Sequence, residues 1–418
     1  MQGWLRSDGR KGIRNTIIVT YLVECAHHVA REIVRPFEDE DVHLIGFPGC
    51  FANLYAFDMM ERLATHPNVA GVLLVSLGCE GFDRSGLARR IEATGRPVRT
   101  LVIQREGGTR KTVDAGRAWV RATCDGNAAL PRVEMGIDEL VVGTICGGSD
   151  GTSGLTANPA MGNAFDRLVE KGAACIFEET GELIGCEHHM AGRAVTPELG
   201  AEIIKAIDKA ARYYGLLGQG SFAPGNAEGG LTTIEEKSLG AYAKAGTVPI
   251  DGMIKPGTRP PSGGLYLMDV VPDGELRFGY PNINDNAEIV ELIASGCHII
   301  LFSTGRGSVV GSAISPVIKV CANPLTYRRM ADDMDVNAGR ILEEQAGIED
   351  VGAEIVQLVE RVADGERTMS EALGHREFIL NYKTFEPVGP ACLPMNRLAT
   401  TVPFTQQGGE SAPSATGQ

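Results

Sequence analysis

The sequence predicts an α/β protein with two parallel-sheet domains. Short apolar runs rich in Val, Ile and Leu alternate along the chain with segments of helical period. Continuous apolar strands spaced by helices are typical of a parallel sheet that is covered on both faces. The length of 418 residues suits two or three domains. Both predicted domains are therefore Rossmann-like, and we expect an active-site crevice at the carboxyl ends of their strands.

The alternation of strand and helix divides into two series and a tail. The first series starts at the strand TIIVTYLVE and predicts an N-terminal α/β domain over residues 1–132. The second starts at ELVVGTIC and predicts a C-terminal α/β domain over residues 133–390. The last stretch, residues 391–418, is rich in Ser, Gly, Gln and Pro, and this composition predicts a disordered tail.

The composition argues against several partners. Lys and Arg number 39 against 53 Asp and Glu, which gives a net charge of −14, and no basic run stands out, so nucleic acid is not expected. No apolar run approaches the roughly 20 residues of a membrane span, and the first residues lack the apolar region of a secretory signal. We therefore expect a cytoplasmic protein without a membrane partner. Its ten cysteines are too sparse for a disulfide scaffold and are expected to be free, metal-bound or catalytic.

Four cysteines follow predicted strands directly. The segments TYLVECAHH, FPGCF, SLGCEG and TICGGSD contain Cys25, Cys50, Cys79 and Cys146. Thiolates can hold a mononuclear Fe²⁺ ion or an iron–sulfur cluster, and an open iron corner can act as a Lewis acid on a substrate hydroxyl. We predict an iron site built from these four residues. Because no CxxC spacing is present, each cysteine taken alone is as readily a small residue at a tight turn.

Two further segments carry candidates for proton transfer. In EETGELIGCEHHMAGR, the side chains of Glu187, His188 and His189 could serve as metal ligands or as acid and base. In GGLTTIEEKSLG, Lys237 could be a base or could hold an anion. A solvated helix start is the alternative interpretation of both segments.

A glycine-rich turn follows another predicted strand, in LFSTGRGSVVG. Thr304, Gly305 and Arg306 combine a hydroxyl, a permissive backbone and a cation, which together suit an anionic ligand. The guanidinium of Arg306 offers a carboxylate or sulfonate a two-point contact. No GKS or GKT closes the turn, so it is not a nucleotide-binding P-loop.

Six motifs in the same order resemble the altronate and galactarate dehydratase family. They are DGRKGIRN, HPNVAGVLLVSLGCE, CGGSDGTSGLTANPAMG, GGLTTIEEKSLGA, LFSTGRGSVVG and RRMADDMDVNAG. The resemblance extends to about Pro387 and implies a lyase. It implies an iron-dependent elimination from a hydroxylated sugar acid, which gives an enol that tautomerises to a 2-keto acid. The positions that match the motifs of the family are Cys25, Cys50, Cys79, Cys146, Gly147, Gly148, Ser149, Asp150, Asn158, Glu187, Lys237, Thr304 and Gly305. Among them, Ser149, Asp150 and Asn158 are expected to bind the substrate together with Thr304, Gly305 and Arg306.

Two departures from the family pattern refine the expected function. Family members often carry a small amino-terminal domain ahead of DGR that supplies a histidine, so the resemblance implies a separate small subunit as partner. We also expect copies of this chain to associate. The segment FPGCF stands where sugar-acid dehydratases tend to have His-Gly-Cys-Gly or Gly-Gly-Cys-Gly. The ring of Phe51 would fill volume that a six-carbon polyol needs, which favours a smaller acid such as sulfolactate, with sulfite as the leaving group.

Three alternatives stay open at this point. The chain could act on altronate or galactarate with water as the leaving group, or it could be an inactive half-enzyme that requires the small subunit. A nicotinamide-dependent oxidoreductase is a weaker alternative, because AHHVARE stands where a GxGxxG would follow the first strand.

Overall fold

The described part of the chain forms three sheets, and both of the larger ones are parallel throughout. The computed structural model describes residues 1–37, 39–178, 180–216, 223–273 and 284–383. The predicted α/β class with parallel sheets is confirmed. The predicted tail, residues 391–418, lies outside the described residues.

The strands follow the apolar runs of the sequence. The strands that precede the second large sheet in the sequence are β1 Gln2–Leu5, β2 Lys11–Gly12, β3 Thr16–Tyr21, β4 Val42–Gly46, β5 Val69–Ser76, β6 Val98–Val102 and β7 Arg132–Glu134. Those of the second large sheet are β8 Val141–Cys146, β9 Ala174–Phe177, β10 Gly252–Ile254, β11 Gly264–Met268, β12 Ile299–Thr304, β13 Val317–Cys321 and β14 Val336–Asn337.

Helices occupy the segments of helical period between the strands. In the first half of the chain they are α1 Glu24–Val34, α2 Leu54–Ala64, α3 Arg84–Glu92, α4 Ile103–Glu106, α5 Thr109–Asn127, α6 Ala157–Glu170 and α7 Glu187–Ala191. In the second half they are α8 Pro197–Leu216, α9 Pro224–Glu228, α10 Ile234–Lys244, α11 Asp285–Ala294, α12 Pro324–Arg329, α13 Ile348–Ala363 and α14 Met369–Ala372. Single 3₁₀ turns lie at Arg35–Phe37, Ile137–Glu139, Thr180–Leu183, Ala331–Asp333 and Ala338–Ile341.

The first parallel sheet has the strand order β4-β3-β5-β6. Successive residues of a strand point to opposite faces, so each face of this sheet carries its own apolar set. Ile17 and Leu73 pack with α1 and α5 on one face. Ile18 and Leu74 pack with α2 and α3 on the other. Burial on both faces explains why β5, VAGVLLVS, is apolar along nearly its whole length.

The second parallel sheet has the strand order β10-β11-β9-β8-β12-β13-β14, with β8 and β12 near its centre. One face, which includes Val142 and Leu301, is covered by α6, α8, α10 and α13. The other face, which includes Ile145 and Phe302, packs against α11 and against the apolar core of the first domain. The two sheets therefore share a continuous core.

A small antiparallel sheet, in the order β2-β1-β7, joins the start of the chain to the connection between the parallel sheets. Its strands are too short to show a periodicity, and the sequence did not predict them. The predicted boundary at residue 132 coincides with the first residue of β7.

Contacts between α2 and α11 show how the carboxyl edges of the two parallel sheets, where their strands end, are oriented. Tyr55, in the first turn of α2, donates a hydrogen bond to Glu291 of α11. Asn68, beyond the end of α2, donates through Nδ2 to the carbonyl oxygen of His298, beyond the end of α11, at 3.4 Å. The two helices thus run in the same direction, and since each begins after the carboxyl end of a strand, the two carboxyl edges lie on the same side of the molecule. Among the described residues, no helix is both long enough and apolar enough to cross a membrane.

Candidate active site at the strand ends

Three of the predicted metal ligands lie along the carboxyl edge of the first sheet. Cys25 is in the first turn of α1, after β3, and Cys50 and Cys79 are in the loops after β4 and β5. These strands are neighbours, and the amide of Gly81 donates to the carbonyl oxygen of Cys50 at 2.8 Å, which joins two of the loops. All three thiols are exposed.

The fourth predicted ligand, Cys146, lies in the other sheet and in a different environment. It is the last residue of the central strand β8 and is 5% exposed. Its Sγ donates to Oε2 of Glu182 at 3.1 Å, and the hydroxyl of Ser149 donates to the same sulfur at 3.4 Å. Burial, with the charge of Glu182 adding to it, raises the pKa of Cys146 to about 11. The thiol is therefore protonated at neutral pH.

The predicted iron site is not assembled in this arrangement. Throughout the described part of the chain, no three His, Cys, Asp or Glu side chains come together in a way that could hold a metal ion. The thiol of Cys146 is instead hydrogen-bonded to Glu182, whose carboxylate is paired with the ammonium group of Lys237. The residues at Cys146 do not fit a metal centre as they stand, and iron stays a prediction from the family resemblance.

Lys237 projects from α10 into the site and forms an ion pair with Glu182. Its side chain is only 10% exposed, so it is a buried cation rather than a solvated helix start. Burial by itself would lower the pKa of Lys237, but the charge of Glu182 and its hydrogen bond outweigh this effect and raise the pKa above its usual range. Lys237 is therefore an ammonium group at neutral pH, which can hold an anion but cannot accept a proton.

The segment EETGELIGCEHHMAGR contains the other candidates for proton transfer, but it contacts Cys146 through a carboxylate other than that of Glu187. Glu187 lies in α7, where its carboxylate accepts a hydrogen bond from the amide of Gly185 at 2.8 Å. His188 and His189 follow it on the same short helix, and both are exposed. Glu182, in the 3₁₀ turn five residues earlier, is the residue that contacts Cys146. Nothing in the sequence pattern distinguishes Glu182 from Glu187, and only the fold selects between them.

Loops after three neighbouring strands are tied together by Asp150. Its carboxylate accepts a hydrogen bond from the amide of Thr152 at 2.9 Å and another from Nδ2 of Asn323 at 2.8 Å. A Cβ atom at Gly305 would lie 2.1 Å from Oδ1 of Asp150, so this position requires glycine. Asp150 and Gly305 thus shape the strand edge, and the hydrogen bonds occupy much of the capacity of Asp150 for a ligand.

The remaining predicted substrate-binding residues lie on the same edge. Asn158 accepts a hydrogen bond from the hydroxyl of Ser303 at 2.7 Å, and the hydroxyl of Thr304 accepts from the amide of Gly307 at 3.0 Å. The guanidinium of Arg306 is 41% exposed and forms an ion pair with Glu228 at 3.2 Å. The structure thus brings these candidates to one edge, with Arg306 at its outer margin.

Apart from Lys237, sequence reasoning missed a row of buried charges behind this edge. The acids are Glu178, Glu182, Asp285, Glu288 and Glu291, and the lysines are Lys237, Lys244 and Lys383. Burial raises the pKa of Glu178 and of Glu288 well above the usual range. At the far end of the row, Nζ of Lys383 lies 2.5 Å from Oε1 of Glu291. Acids spaced by three on a helix usually mark its solvent face, but every residue of α11 from Ala287 to Ala294 is buried.

The fold and this edge define a protein of the α/β class that holds acids, a cation and hydroxyl groups at the carboxyl ends of two central strands. Residues 3–126 match the family described as D-galactarate dehydratase/altronate hydrolase, second domain. Residues 137–385 match D-galactarate/altronate dehydratase, C-terminal.

Individual relatives cover nearly the whole chain. The (2R)-sulfolactate sulfo-lyase subunit beta of Chromohalobacter salexigens is 34% identical over 90% of this chain and 96% of its own length. The altronate dehydratase of Bacillus subtilis is 28% identical over 91% of this chain and 77% of its own length. The galactarate dehydratase (L-threo-forming) of Escherichia coli is 30% identical over 89% of this chain and 74% of its own length. The chain belongs to the D-galactarate/altronate dehydratase family and is a lyase.

Proposed function

We propose that the chain is the large subunit of a lyase that carries out β-elimination on a small anionic 2-hydroxy acid. The proposed substrate is (2R)-sulfolactate, and the products are sulfite and pyruvate. The single observation that carries the elimination is the buried group Cys146, Glu182 and Lys237 at the end of the central strand β8, in a chain whose family consists of lyases. The sulfo-lyase subunit, which this chain matches over almost its full length, supports the choice of substrate.

The reaction has two bond changes that the site must assist. The C2–H bond breaks, and its electron pair forms the C2=C3 double bond. The C3–S bond breaks, and its electron pair leaves with sulfite. The resulting enolpyruvate takes a proton at C3, loses the proton of its enol hydroxyl group and gives pyruvate. Negative charge develops on the carboxylate and on the carbon beside it, so a fixed cation in a dry site lowers the barrier. Lys237 provides such a cation, and its pairing with Glu182 keeps the ammonium group in place.

The surroundings of Cys50 support the smaller substrate. Phe51 is 51% exposed, so its ring does not enter the core. A Cβ atom at Gly81 would lie 3.1 Å from the ring, which places the ring over the neighbouring loop. A phenyl group on this edge occupies volume beside Cys50 and offers no hydrogen bond to a polyol. A three-carbon acid needs neither that volume nor a hydrogen bond from that position.

Altronate or galactarate is the second candidate substrate, because two relatives of this chain carry those activities. In that reaction hydroxide leaves in place of sulfite. Hydroxide is a poor leaving group and requires a proton donor, whereas sulfite leaves without one.

A separate small subunit is part of the proposal. The sulfo-lyase relative is named as a subunit beta, which supports a partner subunit for this chain. Iron on the predicted thiols is proposed from the family resemblance, whereas association of copies of this chain and a cytoplasmic location are proposed from the sequence alone. None of the steps above depends on iron.

A substrate assay tests the proposed function. The purified chain is incubated with sulfolactate, and sulfite and pyruvate are measured. Parallel reactions contain altronate or galactarate, with 2-keto acid as the readout. Each is run with and without iron(II) and the candidate small subunit. We expect sulfite and pyruvate in equal amounts from sulfolactate. Keto acid from a sugar acid and none from sulfolactate would replace the proposed substrate by the second candidate.

A further inference from the structure

Asp285 is placed against the same strand ends as Cys146 but comes from a distant part of the sequence. It is the first residue of α11. A Cβ atom at Gly147 would lie 2.0 Å from its Oδ2, so the carboxylate occupies the space that a side chain after Cys146 would fill. The amide of Gly147 donates to the carbonyl oxygen of Ser303 at 3.0 Å, so the carboxylate reaches the point where β8 and β12 end together.

Charged groups face Asp285 from three elements. Glu182 approaches from the 3₁₀ turn after β9, Lys237 and Lys244 from α10, and Glu288 lies one turn further along α11. Burial raises the pKa of Asp285 to about 6, the charge of Glu182 adds to this effect, and the two ammonium groups oppose it. Asp285 is thus mostly ionised at neutral pH and is a stronger base than an exposed aspartate.

The three groups that contact one another at Cys146 are unsuited to accept a proton. The thiol of Cys146 and the ammonium group of Lys237 both hold their protons at neutral pH. The carboxylate of Glu182 is shared between Lys237 and the thiol. A base works best when its pKa lies close to the working pH, and Asp285 meets this condition while lying at the strand ends.

We propose that Asp285 is the base of the elimination, and that its carboxylate at Gly147 removes the C2 proton of the bound acid. This inference rests on the proposed function. The proton moves to a carboxylate oxygen of Asp285, and the electrons of the C2–H bond form the double bond as the leaving group departs from C3. Asp285 then returns the proton to solvent. Lys237 stays protonated throughout and supplies charge.

The test compares two neutral replacements on the same face of one helix. Asp285→Asn keeps the shape of the side chain but removes the base. Glu288→Gln is the matched control, because it makes the same change from acid to amide one turn further along α11. Kinetics use the acid that the wild-type protein converts, both unlabelled and deuterated at C2. Thermal unfolding checks that both variants are folded.

We expect Asp285→Asn to lower kcat by about 10²–10⁴-fold, the usual contribution of a positioned base, with little change in KM. The isotope effect on kcat should rise in this variant because proton removal becomes the slow step. Asp285 must be ionised to act, so kcat/KM of the wild type should rise as the pH increases through the pKa near 6. That dependence should disappear in Asp285→Asn and persist in Glu288→Gln.

Two outcomes would overturn the inference, and they are distinguishable. If the wild type is active and both variants lose the same small fraction of kcat, with unchanged isotope effects, another group is the base. If the wild type, with iron(II) and the small subunit present, converts none of sulfolactate, altronate and galactarate, the proposed function itself is wrong. The proposed role of Asp285 is then wrong as well.

Discussion

The carboxyl edges of the two parallel sheets lie on the same side of the molecule but hold their chemical groups differently. At the first edge, Cys25, Cys50 and Cys79 are exposed on loops. At the second, Cys146 is buried and its neighbours are fixed by hydrogen bonds and ion pairs. Electrostatic interactions are much stronger in a water-poor site than at a surface. For this reason the proposed reaction is assigned to the second edge, whereas the first edge is accessible to a metal ion or a partner.

Among the variants that compare the two edges, Lys237→Met has the largest expected effect and tests whether the second edge is the reactive one. This change removes the fixed cation and leaves Glu182 without its partner. We expect kcat to fall by about 10²–10³-fold, the usual cost of losing one such stabilising group. Steady-state kinetics measure this fall, and thermal unfolding separates it from loss of structure.

The control for this variant is Lys171→Met, which removes a lysine that is paired with Glu360 at the surface. Such exposed pairs contribute about 0–1 kcal/mol, so turnover should be unchanged. Equal turnover of Lys237→Met and Lys171→Met would contradict the assignment of the reaction to the second edge.

The strand positions of both edges could be predicted from the sequence, and their contacts could not. Apolar runs end directly at Cys146 and Thr304, so the residues at these strand ends are visible in the pattern. The carboxylate at Cys146 is not visible, because Glu182 and Glu187 lie in one polar segment, and the turn after β9 decides which of them points to the thiol.

The burial of α11 illustrates the same limit in the core. Its sequence DNAEIVELIA has acids at a spacing that usually marks an exposed face, and no local signal contradicts that interpretation. The helix is buried because it lies between the second sheet and α2 of the first domain. Asp285 becomes a candidate base through its neighbours after β8, after β9 and on α10, which are distant from it in the sequence, so the segment DNAEIVELIA alone cannot reveal this role.

Cysteine variants sharpen the comparison between the two edges. Cys146→Ala removes the hydrogen bond to Glu182, and hydrogen bonds to charged groups contribute about 1.5–3 kcal/mol, so we expect turnover to fall by about tenfold or more. Cys79→Ala changes an exposed thiol and should leave turnover unchanged in the absence of added metal. Assays of both variants are run in parallel, with metal-stripped protein and with iron(II).

The effect of metal on these variants shows whether the thiols of either edge take part in the reaction. If iron(II) stimulates the wild type and Cys79→Ala abolishes this stimulation, the first edge takes part in the reaction as a metal site. If chelation has no effect on the wild type and Cys146→Ala is as active as Cys79→Ala, neither edge uses its thiols in turnover.

Gly305 offers the smallest expected effect, on the shape of the second edge alone. In Gly305→Ala the new Cβ would lie 2.1 Å from Oδ1 of Asp150, and that carboxylate is held by Thr152 and Asn323 and cannot move freely. Overpacking of this kind costs about 1–3 kcal/mol, so the free energy of unfolding should fall by that amount and KM should rise as the loops after β8 and β12 shift. Gly126→Ala is the matched control, because nothing lies within 4 Å of a Cβ at this helical position and alanine should stabilise it by about 0.5–1 kcal/mol. Urea titrations measure the free energy of unfolding of both variants, and steady-state kinetics measure KM. A Gly305→Ala protein that is as stable as the wild type, with an unchanged KM, would show that Asp150 does not hold the edge in the described shape.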